Sequence, residues 1–246
     1  MGGAQAVAAL AYGTASVRAV DKIVGPGNSW VTAAKLAVFG DVAIDLPAGP
    51  SEVLVVADAT AEPRLVAIDL LCQAEHGPDS PAILVTDDPN LPDKVEAELD
   101  RLLPGLERRH ILAKALTDHG LAVVAPDRES ALQFTQDYAA EHVTLMTTDP
   151  DADAKRVTAA GSVYVGRWSA ESAGDYATGA NHVLPTGGLA AAYGPLSVED
   201  FGSWRQEQRL TEEGLMNIRS TIATLADAEG LTAHRLAAEL RFEDTP

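Results

Sequence analysis

Three groupings of side chains in this sequence could do chemistry. Gln73 and His76 stand three apart at the end of an expected helix over 62–75, so both can project to one side. Gly77-Pro78 stops that helix. An amide oxygen and an imidazole nitrogen converging at a buried helix end suit a divalent metal; equally, a histidine at a helix C-terminus is favoured by the dipole alone. Glu141-His142 stands directly before an apolar run, and a carboxylate beside an imidazole suits general base and acid work near neutral pH. Such a strand edge is where α/β sheets form sites. Adjacent residues point to opposite faces of a strand, so the two share a site only if the chain bends there; otherwise they are a surface Glu and a half-buried His. The third grouping, ESAGDYATGANHVLP over 171–185, carries Asp175 and His182 among small residues that let a backbone approach a ligand closely. By itself His234 reads as a surface histidine. Cys72, on the apolar stripe of its helix, reads as a small core residue.

The elements that must position these groups alternate. Strands are expected over 22–24, 42–45, 53–56, 82–86, 122–125, 142–147 and 162–165, and helices over 31–39, 62–75, 92–103, 129–138 and 151–160. Continuous Val/Ile/Leu runs suit strands covered on both faces. The alternation predicts an α/β layer fold with a mainly parallel sheet. Gly25-Pro26-Gly27-Asn28 lies between a strand and a helix, where a phosphate-binding turn belongs. Trp30 occupies the place of the third glycine of the dinucleotide fingerprint, so the turn points only weakly to NAD and is equally a plain tight turn. Residues 169–203, rich in Gly, Ser, Ala and Pro, look like a long functional loop. From Leu210 the chain turns helical, with Leu215, Ile218, Ile222 and Leu225 on one stripe. Gly230 breaks this helix, and Thr232 is expected to cap a second one running to about Arg241. Two such helices need a partner surface.

Composition limits the function classes. The chain of 246 residues has 36 acidic against 18 basic residues, a net charge of −18. That charge repels phosphate backbones and anionic lipid, so neither nucleic acid nor a membrane surface is an expected partner. The apolar runs are far too short to span a bilayer. The start, Met1-Gly2-Gly3, has no charged n-region, so export is not expected and a cytoplasmic location is. A single cysteine excludes an intrachain disulfide framework and an all-cysteine zinc site.

Seven blocks occur in order: GGAQA from Gly2, VDKIVGPGN over 20–28, DLPAGPSE over 45–52, QAEHGPD over 73–79, Glu141-His142, SAGDYATGANHVLPT over 172–186 and LTAH over 231–234. Together they resemble the histidinol dehydrogenase family across essentially the whole chain. The resemblance implies two α/β/α domains of aldehyde-dehydrogenase-like architecture and a helical C-terminal arm exchanged across a homodimer. On this chain it implies a remnant of the NAD-contacting domain over 1–44, a second α/β domain over 45–190 and the arm over 191–246. Gln73, His76, Asp175 and His234 match the family's zinc ligands, His234 coming from the second subunit. Glu141 and His142 match its catalytic acid/base pair. Ser51, Gln73, His76, His142, Asp175, Glu229 and His234 match positions that contact the substrate L-histidinol, and Gln5 and Asn28 positions that contact NAD. The implied reaction is the last step of histidine biosynthesis, two successive NAD-dependent oxidations of L-histidinol to L-histidine through the aldehyde. In it His142 takes the alcohol proton and Glu141 activates the water that attacks the aldehyde.

The family's N-terminal stretch, with most of one α/β domain and a tyrosine that contacts NAD, has no counterpart here. A fragment of a longer product and a shortened member are both expected to show this, with an incomplete cofactor site. Two other readings stand beside the enzyme: a non-catalytic remnant that keeps the zinc site and the dimer arm, and a zinc hydrolase. Nothing resembling an HExxH helix supports the last.

Overall fold

The structure, a computed structural model, describes residues 2–243. It divides into two compact units, Met1–Gly202 and Ser203–Pro246.

The first unit opens with α1 (Gly3–Tyr12), β1 (Lys22–Ile23), α2 (Ser29–Val38) and β2 (Ala43–Ile44). β1 and β2 pair in parallel, and Val7, Ile23, Val38 and Val42 form a small core of their own. Asn28 caps α2, its Oδ1 accepting from the Val31 N–H at 3.2 Å. The turn before it is clamped on both sides of Gly25. Its N–H donates to Asp45 Oδ2 at 2.7 Å, its carbonyl accepts from Lys35 Nζ at 2.9 Å, and Lys35 and Asp45 form a buried ion pair. Gly25 has φ +129°, a conformation side-chain-bearing residues avoid.

The main body runs β3 (Val53–Ala57), α3 (Pro63–Ala74), β4 (Ala82–Thr86), α4 (Leu91–Leu102), α5 (Arg109–His119), β5 (Gly120–Val124), α6 (Arg128–Tyr138), β6 (His142–Met146), α7 (Pro150–Ala154), β7 (Ser162–Val165) and α8 (Glu171–Tyr176). All five strands are parallel, in the order β5-β4-β3-β6-β7. β3, β4 and β6 are buried at every residue, as continuous apolar runs require. Val53, Val55 and Ala57 pack on α3 and α4, while Leu54 and Val56 face α6, which makes an α/β/α sandwich. Each such Val or Leu contributes roughly 1.5–3 kcal/mol by leaving water.

Several expectations are corrected. The helix expected over 151–160 stops at Ala154, because the Gln136 side-chain Oε1 takes the N–H groups of Thr158 and Ala159 at 2.9 and 3.1 Å and bends the chain into the core. α1 and α5, not expected as helices, form around Val7 and around Leu112 and Ala115. The supposed loop over 169–203 contains α8 and two short 3-10 turns, Leu189–Ala191 and Val198–Phe201. The second unit begins at Ser203. It holds α9 (Glu212–Ala228) and α10 (Thr232–Glu239), which break at Gly230 with φ +71°. Thr232 is the first residue of α10 and caps nothing; Leu231 holds the cap position without a side-chain bond. Ile218 and Leu225 of the stripe remain exposed, together with Leu210, Leu236 and Leu240. Among the described residues no helix is long and apolar enough to cross a membrane.

Candidate active site

Glu141 and His142 reach the same place because α6 ends abruptly. Ala139 adopts a left-handed φ of +53°, and Glu141 forms a bend before β6 begins at His142. The bend that joint service requires is therefore present. Gly161 packs against the Glu141 carbonyl, where an added Cβ would meet that oxygen at 2.6 Å. The pair lies at the amino ends of β3 and β6. Doubly wound sheets usually bind ligands at the opposite, carboxyl ends. At that end Asp58 Oδ2 accepts from the Thr148 N–H and hydroxyl at 2.6 and 2.7 Å.

Glu141 is 5 % exposed. Its Oε2 accepts from Ser51 Oγ at 2.5 Å and from the Glu52 N–H at 2.9 Å. Burial pushes its pKa up to about 7, and the Ser51 bond pulls against that rise. His142 is moved the other way. Burial lowers its pKa to about 4, so its ring is neutral near pH 7. Its Nδ1 lies 3.3 Å from the Glu52 carbonyl, an acceptor, and this assigns the ring proton to Nδ1. Nε2 is buried, without a partner, and keeps its lone pair. A carboxyl poised near neutrality and a neutral imidazole with a free nitrogen form two bases with different proton affinities.

Both face a cavity of about 360 Å³ lined also by Ser51, His76, Asp175 and His182, with Pro26 and Gly27 of the clamped turn. His76 is held at the end of α3 by contact of Nδ1 with the Gln73 carbonyl at 3.2 Å, which leaves Nε2 for another partner. Gln73, one helical turn back, is fully buried, and neither amide atom has a hydrogen-bond partner. An unsatisfied buried amide costs about 1–3 kcal/mol, and a cation that took its oxygen would relieve part of that cost. An imidazole nitrogen, an amide oxygen and the Asp175 carboxylate are a donor set that suits zinc. Among the described residues no three His, Cys, Asp or Glu side chains converge as a metal site.

His234 and Glu229 lie in the second unit, His234 on α10 and Glu229 at the C-cap of α9. His234 borders a groove of about 740 Å³ between those helices. Gln5 and Asn28 lie exposed on the first lobe, and Asn28 Oδ1 is already engaged as a cap. Cys72 is half-buried, and burial pushes its thiol up to about 12, which agrees with an unreactive side chain. Two buried acids escaped the sequence reading. Glu52 follows Ser51 at the mouth of an entirely apolar strand, and Glu171 opens α8 with both carboxylate oxygens unpartnered. A charge directly against a Val run was the available signal for Glu52.

The profile of the histidinol dehydrogenase family matches residues 1–242. The histidinol dehydrogenase of Haloarcula marismortui is 51 % identical over 244 residues, covering 99 % of this chain and 58 % of that protein. That of Methanothermobacter thermautotrophicus is 47 % identical over 244 residues, covering 99 % and 57 %. The crystal structure of histidinol dehydrogenase from Elizabethkingia anophelis superposes with a TM-score of 0.92 at 44 % identity, covering 98 % of this chain and 55 % of that one. The chain thus spans somewhat more than half the length of these relatives.

Proposed function

Because the chain belongs to the histidinol dehydrogenase family, we propose that it carries the substrate-handling part of an oxidoreductase that converts L-histidinol to L-histidine in two NAD-dependent oxidations. The observation that carries this reading is the arrangement of Glu141 and His142. Two bases of opposed pKa shift face one cavity with His76 and Asp175. The roles are those the family resemblance implies, and the free His142 Nε2 and the Glu141 carboxyl at the cavity support them. His142, neutral with a free Nε2, takes the proton of the substrate hydroxyl in the first oxidation. Glu141, as carboxylate, takes a proton from the water that attacks the aldehyde in the second. Ser51, on the cavity wall, orients Glu141 by its hydrogen bond.

Gln73, His76 and Asp175, with His234 of a second copy, would hold zinc, which supplies orientation of the substrate imidazole and amine. His234 in a separate helical unit with an exposed apolar stripe supports a homodimer that exchanges this arm. Gln5 and Asn28 are proposed as NAD contacts, because the turn before Asn28 reaches the cavity wall through Pro26 and Gly27. A cytoplasmic location is proposed with the biosynthetic role.

Calorimetric titration of L-histidinol into the zinc-loaded chain tests this directly. Binding that is lost in His76→Ala is expected. The same binding in wild type and His76→Ala would remove the cavity from the account and favour a remnant without activity.

A further inference from the structure

We propose that Glu52 is the positioning residue of the acid/base pair, holding the Glu141 carboxylate and the His142 ring from a single chain segment. The proposal rests on the functional reading above only for the roles of those two residues. Glu52 is 4 % exposed and stands where β3 begins. Its main chain serves both partners. The N–H donates to Glu141 Oε2 at 2.9 Å, and the carbonyl accepts the His142 N–H at 3.2 Å and faces Nδ1 at 3.3 Å. Its side chain then ties the surroundings together. Oε1 accepts from the Glu141 N–H at 3.3 Å and from the Gly187 N–H at 2.8 Å, and Oε2 accepts from the Tyr138 hydroxyl at 3.1 Å. Glu52 and Glu141 therefore exchange main-chain N–H groups, each donating to the other's carboxylate. No other described side chain reaches both ends of the α6–β6 bend in this way.

A hydrophobic residue at position 52 would satisfy β3 better, since the next five positions are apolar and buried. The carboxylate is retained at the cost of burial, which raises its pKa against the pull of its three donors. Its second effect is electrostatic. The titratable groups around Glu141 are Glu52 just before β3, Tyr138 from α6, His142 at the start of β6, Tyr164 from β7, and Glu171 and Asp175 from α8. Of these, Glu52 alone exchanges hydrogen bonds with Glu141, and its charge raises the Glu141 pKa.

The test is a carbon-13 carboxyl NMR titration of the 246-residue chain labelled at glutamate, with the Glu141 signal identified by its loss in Glu141→Gln. Glu52→Gln keeps the shape and one acceptor oxygen but removes the charge. The Glu141 midpoint is expected to fall by about one unit. Glu52→Ala is expected to lose the hydrogen-exchange protection of the Glu141 amide, and Glu52→Gln to retain it. A Glu141 midpoint unmoved in Glu52→Gln would overturn the proposal even if Glu52→Ala failed to fold, because a purely structural role leaves that midpoint in place. Failure of the wild-type chain to bind histidinol would sink the functional reading instead, and leaves the titration free to decide this one.

Discussion

The Ser51 hydroxyl donates to Glu141 Oε2 at 2.5 Å, the shortest tie between the strand that opens the sheet and the carboxyl that faces the cavity. A hydrogen bond to a charged group contributes about 1.5–3 kcal/mol. Ser51→Ala should therefore raise the Glu141 pKa from about 7 by one unit or more. Water activation needs the carboxylate, so the acidic limb of aldehyde oxidation should move to higher pH. A pH–rate profile of that half-reaction checks it; an unmoved limb would show that Ser51 does not support the ionised form.

Much of this geometry was legible in the residues. β3 and β4 announce themselves as near-continuous apolar runs, and β3, β4, β6 and β7 all fall within a residue of the expected bounds. Local pattern failed where long-range bonds decide. Gln136 ends α7 from a distance of more than twenty residues, and α5 declares itself only once Leu112 and Ala115 find their cluster. The same holds at the site. Glu141 and His142 could be singled out by type, but the left-handed Ala139 that bends them together and the hub at Glu52 belong to the tertiary structure.

Glu171 is fully buried with neither oxygen partnered, and burial, aided by Asp175, Asp69 and Glu141, pushes its pKa up to about 9. The folded chain keeps this proton where the unfolded chain, titrating near 4.5, has released it. Stability from this group is thus present at low pH and is lost as pH rises toward 9, by at most about 1.4 kcal/mol per unit. In metal-free chain, Glu171→Gln should flatten the fall in urea stability between pH 6 and pH 8. Parallel falls in wild type and variant would show that Glu171 is ionised in the fold.

Zinc retention should depend on association. If His234 completes the metal shell from a second copy, His234→Ala should lower zinc content after dialysis while the circular dichroism stays near wild type. Tightly held stoichiometric zinc in a monomer would contradict this.

The net charge of −18 makes self-repulsion a standing cost to the folded chain. Molar salt shortens the Debye length to about 3 Å. The melting temperature should rise between 0.1 and 2 M KCl, by an amount on the order of several degrees for a few kcal/mol. A flat or falling curve would remove electrostatic repulsion as a limit on stability.

The division of labour between Glu141 and His142 is tested most directly by counting NADH per L-histidinol, with the chain supplied with the N-terminal stretch of a relative. The wild type should form two NADH per histidinol. Glu141→Gln should form the first at near wild-type rate and slow the second by about 100-fold or more, with aldehyde accumulating. Equal slowing of both oxidations in Glu141→Gln would contradict the assignment of water activation to that carboxylate.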